Sequence, residues 1–157
     1  MIVAHTALNA LHHIGVTVSD LPRSMAFWER MLGAPGRDRR TLEGPRLGEL
    51  VGYPTARVES CWFDLPGGVG LELVHYLEPA EPAYESGSAH PGNVHVCLRV
   101  KDMAAAHAHA VASGARPVSH SPIEVAEGPR AGTRVAYLTD PDGVTIELLQ
   151  PPPQGAR

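Results

Sequence analysis

The sequence predicts an α+β fold: two paired β-α-β-β-β modules forming a cupped mixed sheet with helices on its outer face. Three observations point to it. The stretches GVGLELVH (68–75) and GVTIELLQ (143–150) are near-copies, with Glu72 falling on Glu147 and Leu71 and Leu73 on Ile146 and Leu148. HHIGVTVSDL (12–21) likewise lies over VHVCLRVKDM (94–103), placing His13 on His95 and Asp20 on Asp102. Both repeats run in the same order, on either side of EPAEPAYESGSAHPG, a stretch rich in Pro, Gly, Ser and Ala that reads as a connector. Such self-similarity marks a duplicated unit. The first module is expected over 11–77, the connector over 78–92 and the second module over 93–150, together making one structural domain.

Each element has its own justification. Residues 11–18 alternate, with Ile14, Val16 and Val18 on one face and His13, Gly15 and Thr17 on the other, as a half-buried strand does. Asp20 is an N-cap and Pro22 suits a first helical turn. Leu21, Met25, Trp28 and Leu32 then form an apolar stripe at helical spacing, ended by Gly33. The second strand is weakly marked and falls within the polar stretch 37–57. The centre of that stretch, RLGELVGYP, reads either as a cover over a site or as a surface loop. Strands over 58–65 and 69–77 are joined by the turn LPGG. The second module repeats the scheme. Val94, Val96, Leu98 and Val100 share a face, and Asp102 caps a helix with Met103, Ala106 and Ala110 inward that Gly114 ends. Strands over 134–138 and 144–150 then flank DPDG.

Composition excludes several classes. The chain has 157 residues, 43% of them hydrophobic, and a formal net charge of -4. That is ample for a core and offers no basic footprint for nucleic acid or an anionic membrane. No apolar run approaches the ~18 residues of a membrane span. MIVAHTALNA lacks the basic start and long apolar core of a secretory signal, so a cytoplasmic location is expected. Cys61 and Cys97 lie inside predicted strands and read as buried free thiols in a reducing compartment.

Alternation also locates the chemistry. Val144, Ile146 and Leu148 share one strand face, so Glu147 is on the other; Leu71 and Leu73 put Glu72 opposite in the same way. His13 and His95 sit opposite the apolar faces of their own strands. A single His or Glu of this kind is what any solvated face carries. The same two residue types recurring at the same places in both modules favour a shared role. If the free faces of two such sheets pair, two imidazoles and two carboxylates converge, a donor set suited to a divalent transition metal. Other histidines fit less well. His12 is expected to point away from His13's face, His75 is of opposite parity to Glu72, and His107 and His109 are two apart on a helix.

HHIGVTVSDLPRSMAFWERMLG (12–33) and DPDGVTIELLQP (140–151) resemble the opening and closing segments of the vicinal oxygen chelate superfamily. That group includes glyoxalase I, methylmalonyl-CoA epimerase, extradiol dioxygenases and the fosfomycin and bleomycin resistance proteins. The resemblance spans 11–151 and implies metal ligands at His13 in HHIGV, Glu72 in LELVH, His95 in VHVCL and Glu147 in IELLQ. The four-ligand set is most similar to that of bacterial-type glyoxalase I. It implies a metal-dependent isomerase, epimerase or lyase acting on a small oxygen-chelating substrate through an enediolate. It implies one divalent transition metal (Ni, Co, Zn, Mn or Fe), Glu147 as proton carrier with Glu72 across the chelate, and a homodimer. In glyoxalase I basic residues hold glutathione carboxylates, and Arg37, Arg39, Arg40, Arg46, Arg57, Arg130 and Arg134 are candidates here. Where the epimerases carry a non-ligand glutamate ahead of the third strand, this chain has Thr55. The alternatives are an Fe(II) dioxygenase and a non-catalytic small-molecule binding or resistance protein of the same fold.

Overall fold

Two aspartates start the two long helices in the same way. Asp20 accepts a hydrogen bond from the Arg23 backbone N–H at 2.9 Å, and Asp102 from that of Ala105 at 3.1 Å. Each thereby satisfies one of the amides that a helix start leaves without an internal partner. Gly33 and Gly114 end the helices at φ of 67° and 107°, where a side chain would be strained. The computed structural model describes residues 9–82 and 87–153. Residues 1–8 of the N-terminal stretch and 83–86 of the expected connector lie outside the described residues.

The elements run β1 (His13–Thr17), α1 (Leu21–Leu32), β2 (Arg37–Glu43), α2 (Pro45–Val51), β3 (Arg57–Asp64), β4 (Gly70–Glu78), β5 (Val96–Arg99), α3 (Met103–Ser113), β6 (Arg116–Pro117), β7 (Ile123–Glu124), β8 (Arg134–Thr139) and β9 (Thr145–Gln150). They form two mixed sheets. One has the order β1-β4-β3-β2; the other has the order β5-β9-β8-β6, with β7 also on β8. In each, the first strand lies parallel to the last, pairing Gly15 with Glu72 and Cys97 with Glu147, while the remaining pairs are antiparallel. The weakly marked second strand is β2, inside 37–57 as expected, and α2 follows it.

Alternation decides what is buried. Val16, Cys61, Phe63, Leu71 and Leu73 of the first sheet join Phe27 and Trp28 of α1, and Val96, Ala136, Leu138, Ile146 and Leu148 join Met103 and Ala110 of α3, in one core. Full burial of a Phe or Leu side chain contributes about 1.5–3 kcal/mol each, so this core outweighs any surface contact. Two expectations need correction. The strand expected from residue 93 begins at Val96, and Val94 is 78% exposed, because it precedes the point where the chain meets β9. Cys61 is buried but Cys97 is exposed, because its parity sets it opposite Val96 and Leu98. Among the described residues no helix is long and apolar enough to cross a membrane.

Polar contacts fix the modules to one another. The Arg30 guanidinium donates twice to the Ser113 carbonyl, at 3.1 and 2.9 Å, across the α1–α3 contact. The carboxylate of Asp142, in the β8–β9 turn, accepts from the Ser19 hydroxyl, from Arg23 Nη2 at 2.6 Å and from the Ser24 hydroxyl at 3.1 Å. Its neighbour Asp140 is wholly buried; Oδ1 accepts the Asp142 and Val144 amides at 2.9 and 2.8 Å, while Oδ2 has no partner.

The two carboxyls are pushed in opposite directions. Burial raises Asp140 above the ordinary carboxylate range, and its amide bonds do not compensate. Burial acts the same way on Asp142, but the bonds from Ser19, Arg23 and Ser24 outweigh it and hold that carboxyl low. Asp142 therefore contributes stability that is full above its unfolded value near ~3.9 and is lost as pH falls through its folded value. Asp140 has the reverse sign: its contribution is full below ~3.9 and is lost as pH rises through its raised value. At neutral pH Asp142→Asn should destabilise the protein by about 1–3 kcal/mol, whereas Asp140→Asn should leave stability unchanged or raise it. Urea unfolding of both variants at neutral and acidic pH checks this; equal losses from the two at neutral pH would refute the assignment.

Candidate metal centre

The side chains facing away from the core carry the chemistry. His13 opens β1 and Glu72 lies in β4 beside it, with Nε2 and Oε2 3.7 Å apart. The residue opposite His13 is Gly70, and a Cβ there would come within 3.0 Å of the Trp62 ring and 3.3 Å of His13 Cβ. A glycine at that position lets Trp62 lie against His13, their ring centroids 4.9 Å apart. In the second module His95 stands just before β5, its Nε2 2.8 Å from Glu147 Oε2. Tyr137, opposite Glu147 on β8, places its ring 5.5 Å from that of His95.

The two pairs are alike. In both, Nε2 of the imidazole meets a carboxylate oxygen of the module's last strand, and no Arg or Lys pairs with either carboxylate among the described residues. The imidazoles are about equally open, with side-chain exposures of 40% and 41%, and the carboxylates are more enclosed at 21% and 14%. The four expected ligands thus come together two and two: His13 with Glu72, and His95 with Glu147. Among the described residues, no group of three or more His, Cys, Asp or Glu is placed to hold a metal ion. The donor types fit a divalent transition metal, and each pair brings together two of the four expected ligands.

Several neighbours were not legible as site residues. His12, expected on the far face, instead has Nδ1 2.8 Å from Nδ1 of His13, and its ring packs on Trp62 at 5.9 Å. It precedes β1, so strand alternation does not govern it. Trp62 shares its β3 parity with the buried Val58 and Ser60 while Cys61 and Phe63 are buried on the other parity, so burial along β3 does not alternate and parity alone does not mark it. Cys97 lies across from Glu147; partial desolvation and then the Glu147 carboxylate push its thiol up. His75 contacts Glu59 at 3.9 Å, away from Glu72, as its parity requires.

Most candidate arginines are engaged elsewhere. Arg37 pairs with Asp64 at 2.7 Å and Asp38 at 2.9 Å, Arg39 meets Glu59 at 3.9 Å, Arg57 meets Glu43 at 3.2 Å and Arg134 meets Glu124 at 3.1 Å. Arg40, Arg46 and Arg130 have no ion pair among the described residues. The segment 37–57 does reach the open side of the first sheet: the Tyr53 ring lies 5.9 Å from that of Tyr76, which shares Glu72's face of β4.

Comparison with known proteins agrees with this architecture. The profile of the glyoxalase/bleomycin resistance protein/dioxygenase superfamily matches residues 12–137. A 2-epi-5-epi-valiolone epimerase from Actinomyces is 28% identical over 91% of this chain and 80% of its own length. A lactoylglutathione lyase from Pseudomonas aeruginosa is 30% identical over 88% of this chain and 81% of its own. Among solved structures, a glyoxalase family protein from Bacillus cereus superposes with a TM-score of 0.77 at 23% identity, covering 95% of this chain and 98% of that one.

Proposed function

Because the chain belongs to the glyoxalase/bleomycin resistance protein/dioxygenase superfamily, we propose that it is a metal-dependent isomerase, epimerase or lyase acting on a small substrate with neighbouring oxygens. The observation that carries this reading is the twice-repeated contact of an imidazole Nε2 with a carboxylate oxygen, at 3.7 Å and 2.8 Å, on the faces turned from the core. The epimerase and the lyase among the relatives support the same class of chemistry.

In this reading the metal would be held by His13 and Glu72 of one chain and His95 and Glu147 of a second chain in a homodimer. Two-fold pairing makes two such sites at once. The ion would polarise a substrate carbonyl and so acidify the neighbouring C–H. The protein's own part is to hold and move the proton. Glu147 takes it at Oε1 or Oε2 and returns it, while His95, whose Nε2 lies 2.8 Å from Glu147 Oε2, would share with it the hold on the ion. Glu72 faces the substrate from the other side. Trp62 and Tyr137 pack against the two imidazoles and wall one side of each half-site.

The test is proton exchange. Purified protein, metal-loaded or stripped with chelator, is incubated in deuterium oxide with a panel of α-hydroxy ketones and followed by NMR. Metal-dependent loss of the α-proton signal from at least one ketone is expected. Exchange that survives complete removal of the metal rejects the reading.

A further inference from the structure

The contact between His12 and His13 has no role in the chemistry above, yet its geometry is specific. The two Nδ1 atoms are 2.8 Å apart, within ordinary hydrogen-bond range. A hydrogen bond between two ring nitrogens needs one to carry the proton and the other to offer a lone pair. The direction follows from the other side of His13. Its Nε2 faces Glu72 Oε2 at 3.7 Å, so Nε2 is the atom available to a metal that Glu72 also binds. A neutral imidazole that ligates through Nε2 carries its proton on Nδ1. With Nε2 given to a metal, His13 Nδ1–H would be the donor and His12 Nδ1 the acceptor.

Packing holds both rings in this relation. They meet edge to face with centroids 5.0 Å apart, and Trp62 touches both, at 5.9 Å from His12 and 4.9 Å from His13. Trp62 is itself fixed against Gly70. The second module has no counterpart, because the residue before His95 is Val94, 78% exposed. The two half-sites therefore differ: one imidazole has a neighbouring imidazole as acceptor, and the other does not.

We propose that His12 is a positioning residue for the metal centre, accepting the His13 Nδ1–H bond and so presenting the Nε2 lone pair to the ion beside Glu72. This inference rests on the metal-dependent reading above. Acceptors of this kind, behind a ligating histidine, fix its tautomer and ring orientation, and losing one typically weakens metal binding ten- to a hundredfold.

Two variants separate the hydrogen bond from the packing. His12→Phe keeps a ring against Trp62 but removes the acceptor. His12→Asn loses the ring but places an amide oxygen near the position of Nδ1. Zinc affinity of the intact protein is measured by competition with a chromophoric chelator, and the His13 tautomer of metal-free protein by nitrogen NMR at about pH 8, above the ordinary imidazole range. His12→Phe should weaken zinc binding by about ten- to a hundredfold and let the His13 proton redistribute between its nitrogens, and His12→Asn should restore much of both. Wild-type zinc affinity in His12→Phe overturns the proposal. So does an Nε2-protonated His13 in the wild-type protein. If the wild type shows the Nδ1–H tautomer but binds no zinc, nickel or cobalt, the metal reading fails and this proposal falls with it. Normal wild-type metal binding with no effect of His12→Phe sinks the proposal alone.

Discussion

Glu147→Gln, assayed with the metal site saturated, should slow turnover by about two to four orders of magnitude, the usual worth of a positioned acid or base. The amide matches the carboxylate in shape and cannot accept a proton at any accessible pH. Loss of a ligand alone behaves differently, since excess metal then recovers much of the rate. Glu72→Gln is the internal control, because it removes the same charge from the equivalent strand of the other module. Its rate should recover when metal is added. Exchange of the substrate α-proton with deuterated solvent reads the step directly. Should Glu147→Gln exchange at the wild-type rate while Glu72→Gln does not, the roles of the two carboxylates are reversed.

The second large effect concerns the histidines. His13→Ala and His95→Ala should each release the metal, since three remaining donors do not restore the geometry. Elemental analysis of the purified variants measures this. The arrangement of pairs makes a sharper experiment available. If each site takes one pair from each of two chains, a dimer of one His13→Ala chain and one His95→Ala chain has one doubly damaged site and one intact site. Unfolding and refolding an equal mixture at random makes half the dimers mixed, so about a quarter of wild-type metal and activity should return. Sites confined to single chains recover nothing on mixing. A monomer in sizing with light scattering would contradict the arrangement from the start.

Much of the fold was legible because the repeated segments write each signal twice. The Asp20 and Asp102 caps and the Gly33 and Gly114 stops all form where the sequence put them. The long strands β3, β4, β8 and β9 lie within a few residues of expectation, since alternating burial is a strong local signal. The short strand β5 was the weaker case. Val94 continues the alternation of Val96 and Leu98, but strand length is set by the partner, and β9 pairs with β5 only from Ile146 onward. Parity placed His13, Glu72 and Glu147 on the faces turned from the core. It could not say whether two such faces meet within a chain, which depends on how the modules pack. His12 lies ahead of the first residue of β1, where strand alternation no longer sets the side chain's direction. Trp62's place beside Glu72 and His13 depends on the β3–β4 register, which a single sequence does not specify.

The parallel pairing of each module's first and last strands bears on how the chain is made. On the ribosome, β1 has no neighbour until β4 emerges, because His13–Thr17 pair with Gly70–Val74 across more than half a module. The first His–Glu pair therefore closes late in synthesis of its half, but well before the second half exists. Through that interval the side of α1 that later meets α3, with Phe27 and the Arg30 guanidinium that later caps the Ser113 carbonyl, has nothing to rest on. Nascent chains at this stage expose an apolar helix face for as long as translation of roughly another thirty-odd residues takes, seconds at ordinary elongation rates. A pause placed after α3 has left the exit tunnel is harmless; one placed just after β4 prolongs the stage at which neighbouring nascent chains can engage the wrong helix.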